Sequence, residues 1–152
     1  MQLSHLFPLE HIVPRLQAES RREIFLRLME PLVKAQIITS PDNFADALEE
    51  REDQVTTEVG HAVAIPHARS MAVRRLAATI GVAPEPGLIF GPDPNQPCRL
   101  FFLIAIPEFA PTAHLPLLRA LAKLARHEKR RERLMACTTA KQIHRQLSSI
   151  RG

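Results

Sequence analysis

A chain of 152 residues, 45% of them apolar and 24% charged, has the composition of a soluble globular protein. At this length one domain buries roughly 68–70% of the surface its unfolded chain would expose, so a core needs neither disulfides nor a metal ion. A single domain over residues 1–152, with its core from about 8 to 148, is expected. No apolar run approaches the ~20 residues that cross a bilayer. The opening "MQLSHLFPLEHIVPRL" lacks the basic start, apolar stretch and cleavage site of a signal peptide, so no membrane insertion and a cytoplasmic location are expected.

The two cysteines, Cys98 and Cys137, stand in no CxxC or Cys/His ligand spacing and read as packed thiols, with no metal site and no cofactor expected. The formal charge of +4 comes partly from "RHEKRRERL" at 126–134. There basic and acidic residues alternate as on a solvated helix face, without aromatic interleaving, so no nucleic-acid partner is expected.

In chain order, "SRREIFLRLMEPLV" opens with Ser20 and Glu23 at capping-box spacing, and Ile24, Phe25, Leu28, Leu32 and Val33 return at helical intervals. Pro31 is expected to kink or break this helix in its last turn. "SPDNFADALEERED" predicts a second helix with Ser40 as cap and Pro41 first, Phe44, Ala47, Leu48 and Arg51 lying along one face. Residues 55–66 turn to β-branched and small side chains interrupted by Gly60, an extended segment with a bend. In "RLAATIGVA", Leu76, Ala78, Ile80 and Val82 alternate with smaller residues as in a strand. After the turn-rich "PEPGLIFGPDPNQP", the run "CRLFFLIAI" at 98–106 is almost continuously apolar, the signature of a strand covered on both faces. A helix capped by Thr112 follows, with Pro116 in its first turn and Leu115, Leu118, Ala122 and Ala125 as its stripe. Thr138 or Thr139 starts a last helix carrying Ile143, Leu147 and Ile150. Helices, strands and helices again around a doubly covered strand predict an α/β fold, a sheet flanked by helices on both faces.

Among seven histidines, His5, His11, His127 and His144 lie in polar or helix-surface contexts. His67 differs, because it follows a short apolar strand and Pro66, which has no N–H for a sheet ladder, so the strand is expected to end there and deliver the imidazole at a crevice mouth. His114 falls in the first turn of the helix after the long strand, where free N–H groups favour anions. With Arg51, Arg69 and threonines nearby in sequence, this suits a phosphoryl group carried on a ring nitrogen. Two other readings stay open on these residues alone: a merely structural histidine, and a metal site, though no HExxH-like spacing occurs. A Ser/His/Asp hydrolase is disfavoured by the lack of a Gly-x-Ser-x-Gly turn.

The stretch "FADALEEREDQVTTEVGHAVAIPHARS" resembles the active-site segment of enzyme IIA domains of the bacterial phosphotransferase system, fructose/mannitol and nitrogen-regulatory class: a helix ending in Arg-Glu, a Thr-x-x-Gly turn, then Ile-Pro-His. The likeness continues through "EPGLIFGPDPNQPCRLFFLIAIP" and "TAHLPLLRALAKLA", in the same order from about residue 8 to 148.

The resemblance implies a mixed sheet flanked by helices and a phosphohistidine carrier. His67 would accept a phosphoryl group from HPr or its nitrogen-branch paralogue, His114 would support it by a hydrogen bond, Arg51 would stabilise the phosphate, and Thr57 would help to bind it. The closing segment looks more like the nitrogen-regulatory branch, whose acceptor is a regulatory target protein. A sugar-specific component passing phosphate to an enzyme IIB is the alternative, and a phosphorylation-deficient binding module a third. Four residues depart from the family pattern: Ala62 and Ala68 stand where glycine is usual and are expected to stiffen the loop, His61 is expected to face solvent, and Glu58 to turn away from the phosphoryl site.

Overall fold

The computed structural model describes residues 2–150. The chain runs through α1 (Leu3–Leu6), a 3-10 turn at Leu9–His11, β1 (Ile12–Val13), α2 (Arg21–Lys34), α3 (Pro41–Gln54), β2 (Glu58–Gly60), β3 (Val63–Ala64), β4 (His67–Ser70), β5 (Ala77–Val82), β6 (Leu100–Pro107), α4 (Leu115–Ala125), α5 (Glu128–Met135) and α6 (Ala140–Ser148). The six strands form one mixed sheet in the order β1-β5-β6-β3-β2, with β4 also on β6. The axis is β6: antiparallel β5 lies on one side of it, and on the other β3 and β4 follow each other, both parallel to it.

All eight residues of β6 are buried, and their alternation divides the interior in two. Leu100, Phe102, Ile104 and Ile106 pack with Leu3, Phe7 and the apolar sides of α4 to α6. Phe101, Leu103 and Ala105 pack with Leu28 and Leu32 of α2 and Phe44 and Leu48 of α3. The expected sheet flanked on both faces is thus observed.

Local signals explain most boundaries. The Ser20 hydroxyl accepts from the Glu23 N–H at 3.1 Å, Ser40 from Asn43 at 3.4 Å, and Thr139 forms a reciprocal capping box with Gln142. Both cysteines are buried free thiols, and burial pushes the Cys98 thiol up to about 12.

Several expectations are corrected. Helix α2 does not break at Pro31: buried Leu28, Met29 and Leu32 hold it against the core, and it runs on to Lys34. Strand β5 forms where the alternation of larger and smaller residues placed it, and the smaller ones are covered too: Thr79 donates its hydroxyl to the Leu28 carbonyl at 2.8 Å beneath α2, and Gly81 lies against Leu28 and Leu16. Thr112 does not cap α4. Its carbonyl closes the preceding turn, accepting from Leu115 N–H at 3.2 Å, and His114 takes the cap position in a helical conformation. The stripe of α4 is accordingly Leu117, Leu121, Leu124 and Ala125, while Leu115 is 46% exposed. Two-residue β1 and the turn-like α1 had no legible periodicity.

The β2–β3 connection is two residues, His61 and Ala62, with φ of +56° and +64° between paired Gly60 and Val63. A tight hairpin turn of this kind favours Asn-Gly because side chains with a Cβ strain at positive φ. Ala62→Gly is expected to stabilise the fold by about 0.5–1 kcal/mol in chemical denaturation. An unchanged or lower midpoint would show that the turn carries no strain. At Ala68 the glycine consideration does not apply: it lies in β4 with its methyl buried beneath α3, so the expected loop stiffening is confined to position 62.

Candidate active site

The strand expected to end at Pro66 instead pauses there. Val63 and Ala64 pair with β6, Pro66 contributes its carbonyl to the Ile104 N–H at 3.0 Å, and pairing resumes with His67 opposite Ile104. Proline fits because its missing N–H falls where no partner is required. The pause also turns the Ile65 backbone away from β6: its N–H goes to the Thr57 carbonyl at 3.0 Å, and its carbonyl receives Nδ1 of His67 at 2.7 Å. A carbonyl oxygen can only accept, so Nδ1 carries the proton and Nε2 the free lone pair.

His67 and Arg69 project to the sheet face that carries α4, since Ala68 between them packs on the opposite core. There the start of α4 brings His114 beside His67, ring centroids 5.8 Å apart and planes at 35°. His114 is 8% exposed, and its Nδ1 is buried without a hydrogen-bond partner among the described residues. A buried lone pair without a partner is tolerated better than a buried N–H without one, which puts the proton of His114 on Nε2 as a donor.

Burial holds His67 below the ordinary imidazole range. The Ile65 carbonyl and the Glu52 carboxylate oppose this shift, and the Arg51 guanidinium adds to it. His114 is lowered by burial and by the charges of His67 and Arg69. Both rings are therefore neutral at neutral pH.

The structure thus brings His67 and His114 together and puts Arg51 close enough for its charge to act on the first ring. Arg51 comes from the last turn of α3, where its Nη1 donates to the Val55 carbonyl at 2.7 Å. Thr57, expected to help bind the phosphate, is buried behind the Ile65 backbone with both its N–H and its hydroxyl donating to Glu52, at 2.6 and 2.5 Å. Sequence reading missed Glu52. In "LEEREDQ" nothing local distinguishes the one carboxylate that turns inward, although the Arg-Glu pair of the resembled motif contains it.

Of the departures from that motif, His61 is exposed at the hairpin tip. The Glu58 carboxyl packs against Gly91, where a side chain would strike it, and burial together with Asp93 and Glu52 raises it above the usual carboxylate range.

Residues 5–150 match the family model described as "Phosphoenolpyruvate-dependent sugar phosphotransferase system, EIIA 2". The chain belongs to this family. Its relatives include the fructose-specific EIIA component of Haloferax volcanii, 30% identical over 97% of this chain and 96% of that one, and a nitrogen regulatory protein of Bradyrhizobium diazoefficiens, 31% identical over 95% and 93%. The crystal structure of nitrogen regulatory protein IIA-Ntr from Neisseria meningitidis superposes with a TM-score of 0.77 at 28% identity, covering 95% of this chain and 98% of that one. The EIIA family is thus shared with both sugar-type and nitrogen-type proteins at nearly equal identity. No helix among the described residues is long and apolar enough to cross a membrane.

Proposed function

We propose that this EIIA-family chain accepts a phosphoryl group on Nε2 of His67 from an HPr-like phosphocarrier protein, in the cytoplasm, and acts as a nitrogen-type regulatory enzyme IIA. The observation that carries the acceptor role is the bond from Nδ1 to the Ile65 carbonyl, which leaves Nε2 as the nucleophilic nitrogen. In the transfer, the Nε2 lone pair attacks phosphorus in line and the P–N bond of the donor phosphohistidine breaks, its electron pair returning to the donor ring. His67 keeps its Nδ1 proton, and the positive charge that develops on the ring is met by the Ile65 carbonyl.

His114 donates from Nε2 to the incoming group, Arg51 stabilises its charge, and Thr57 serves the site as a buried support. The regulatory reading is supported by the stand-alone relative from Bradyrhizobium and by the fold of IIA-Ntr. The second reading is a sugar-specific component that passes phosphate to an enzyme IIB, favoured by the Haloferax relative.

The test is incubation with phosphoenolpyruvate, enzyme I and either a sugar-branch or a nitrogen-branch carrier, read by intact mass. Faster transfer from the nitrogen-branch carrier supports the regulatory reading, faster transfer from HPr the sugar one, and no gain from either leaves a binding module.

The neutral rings have a pH consequence. Unfolded histidines titrate near ~6.5, and both site histidines lie lower when folded. Between those values the unfolded chain binds more protons, so stability is complete above about pH 6.5 and declines as pH falls below it. The His67 Hε1 resonance is expected to titrate below 6.5, and a midpoint at or above that value would contradict the burial described here.

A further inference from the structure

The acceptor reading leaves one buried carboxylate without a task. Glu52 is 6% exposed in a helix turn whose other acids either meet Arg21, as Glu49 and Asp53 do, or face water, as Glu50 does. Removing a carboxylate from water costs several kcal/mol unless its oxygens are satisfied. Both donors come from one residue: Oε2 accepts from the Thr57 N–H and Oε1 from the Thr57 hydroxyl. Thr57 in turn receives the Ile65 N–H on its carbonyl, and Ile65 receives the Nδ1 proton of His67 on its own. Three consecutive links, the first made by two bonds, therefore lead from the buried acid to the imidazole over hydrogen bonds of 2.5 to 3.0 Å. The bonds at Thr57 and at Ile65 belong to different peptide units, so the connection is a frame that sets where the Ile65 carbonyl stands. The Glu52 charge acts on the ring directly, through space.

We propose that Glu52 is a positioning residue for His67: by holding Thr57 it fixes the Ile65 carbonyl that carries the Nδ1 proton, and so keeps Nε2 exposed to the donor. The inference rests on His67 being the acceptor. A threonine bound only for structure would need one bond to cap the turn after α3. Here both donors converge on one carboxylate, and the Thr57 carbonyl is spent on the residue that grips the imidazole. The charged and titratable groups around His67 are Arg51 and Glu52 from α3, His114 from the start of α4, and Arg69 on its own strand.

The test uses the full chain with histidine labelled by nitrogen-15, so that tautomer and titration midpoint of His67 are read directly. Phosphoramidate serves as a small donor that needs no partner protein: its P–N bond breaks with ammonia leaving as the Nε2–P bond forms. Glu52→Gln is expected to lower the His67 midpoint, since a negative charge near the imidazolium is lost. It also mixes the two tautomers and slows phosphorylation by about 10-fold. Thr57→Ser, which keeps both donors, behaves as wild type. Thr57→Val, which keeps the N–H and leaves the Glu52 charge in place, mixes the tautomers to a smaller degree without that fall in midpoint, and carries the test if Glu52→Gln does not fold. A folded Glu52→Gln that keeps a pure Nδ1–H tautomer overturns the inference, whatever its midpoint, and leaves Glu52 a structural cap. If phosphoramidate labels some other residue of the wild type, the acceptor reading falls, while the His67 tautomer still decides the role of Glu52.

Discussion

Given phosphoenolpyruvate, enzyme I and a carrier, the wild-type chain is expected to gain one acid-labile phosphate, and His67→Ala none, a fall in transfer of about 10³-fold or more. The size follows from what is removed. On the proposed reading His67 supplies the lone pair that forms the new bond, and the neighbouring imidazole of His114 has its Nδ1 sealed from solvent. The fold is expected to survive the substitution. Among the described residues the His67 side chain makes one hydrogen bond, to Ile65, worth about 0.5–1.5 kcal/mol net against a total of about 5–15. An unchanged far-ultraviolet circular dichroism spectrum checks that point. Retention of the phosphate by a folded His67→Ala would move the acceptor elsewhere, with His114 the first place to look.

Phe102→Ala is expected to be the most damaging single change away from the site. Phe102 is fully buried at the centre of β6, and its ring lies 5.9 Å from that of Phe7, tilted by 59°. The substitution deletes a whole ring from a core closed by strands on both sides and helices above. Such truncations cost about 3–5 kcal/mol, a large share of the stability of an ordinary domain. For a chain of this size that corresponds to a fall of roughly 6–20 °C in Tm. Met71→Ala is the matched control: Met71 is 89% exposed, and its loss is expected to change stability by no more than about 0.5 kcal/mol. A Phe102→Ala protein that melts with the wild type would mean that the core around β6 closes over the gap without loss.

The strand at 100–107 was legible because burial on both faces forces an apolar residue at every position, a pattern few other structures demand. Helices α2, α3 and α6 announced themselves through Ser20, Ser40 and Thr139, whose side chains satisfy the first free N–H groups. Helix α4 was harder. Leucines at 115, 117, 118, 121 and 124 surround it on several sides, so periodicity alone did not fix which face turns inward.

At the site, the two histidines were singled out by Pro66 and by the predicted helix start, although the helix begins two residues later than Thr112 suggested. That Pro66 marks a pause in a continuing edge depended on pairing with β6, a partner more than thirty residues away in sequence. The inward turn of Glu52 depended equally on Thr57 and Ile65 coming together in space, which no helical or strand period encodes.

The division of the interior by β6 has a consequence for how the chain matures. His67 and His114 stand on the side packed by α4 to α6, whereas Arg51 and Glu52 reach them from α3, which belongs to the other side. A newly made chain with only one half consolidated would possess either a pair of imidazoles with no fixed tautomer or a cation and an acid with nothing to serve. On the proposed acceptor reading, competence to take up phosphate arrives only when both halves have closed on the sheet, and the modification would itself distinguish finished molecules from unfinished ones.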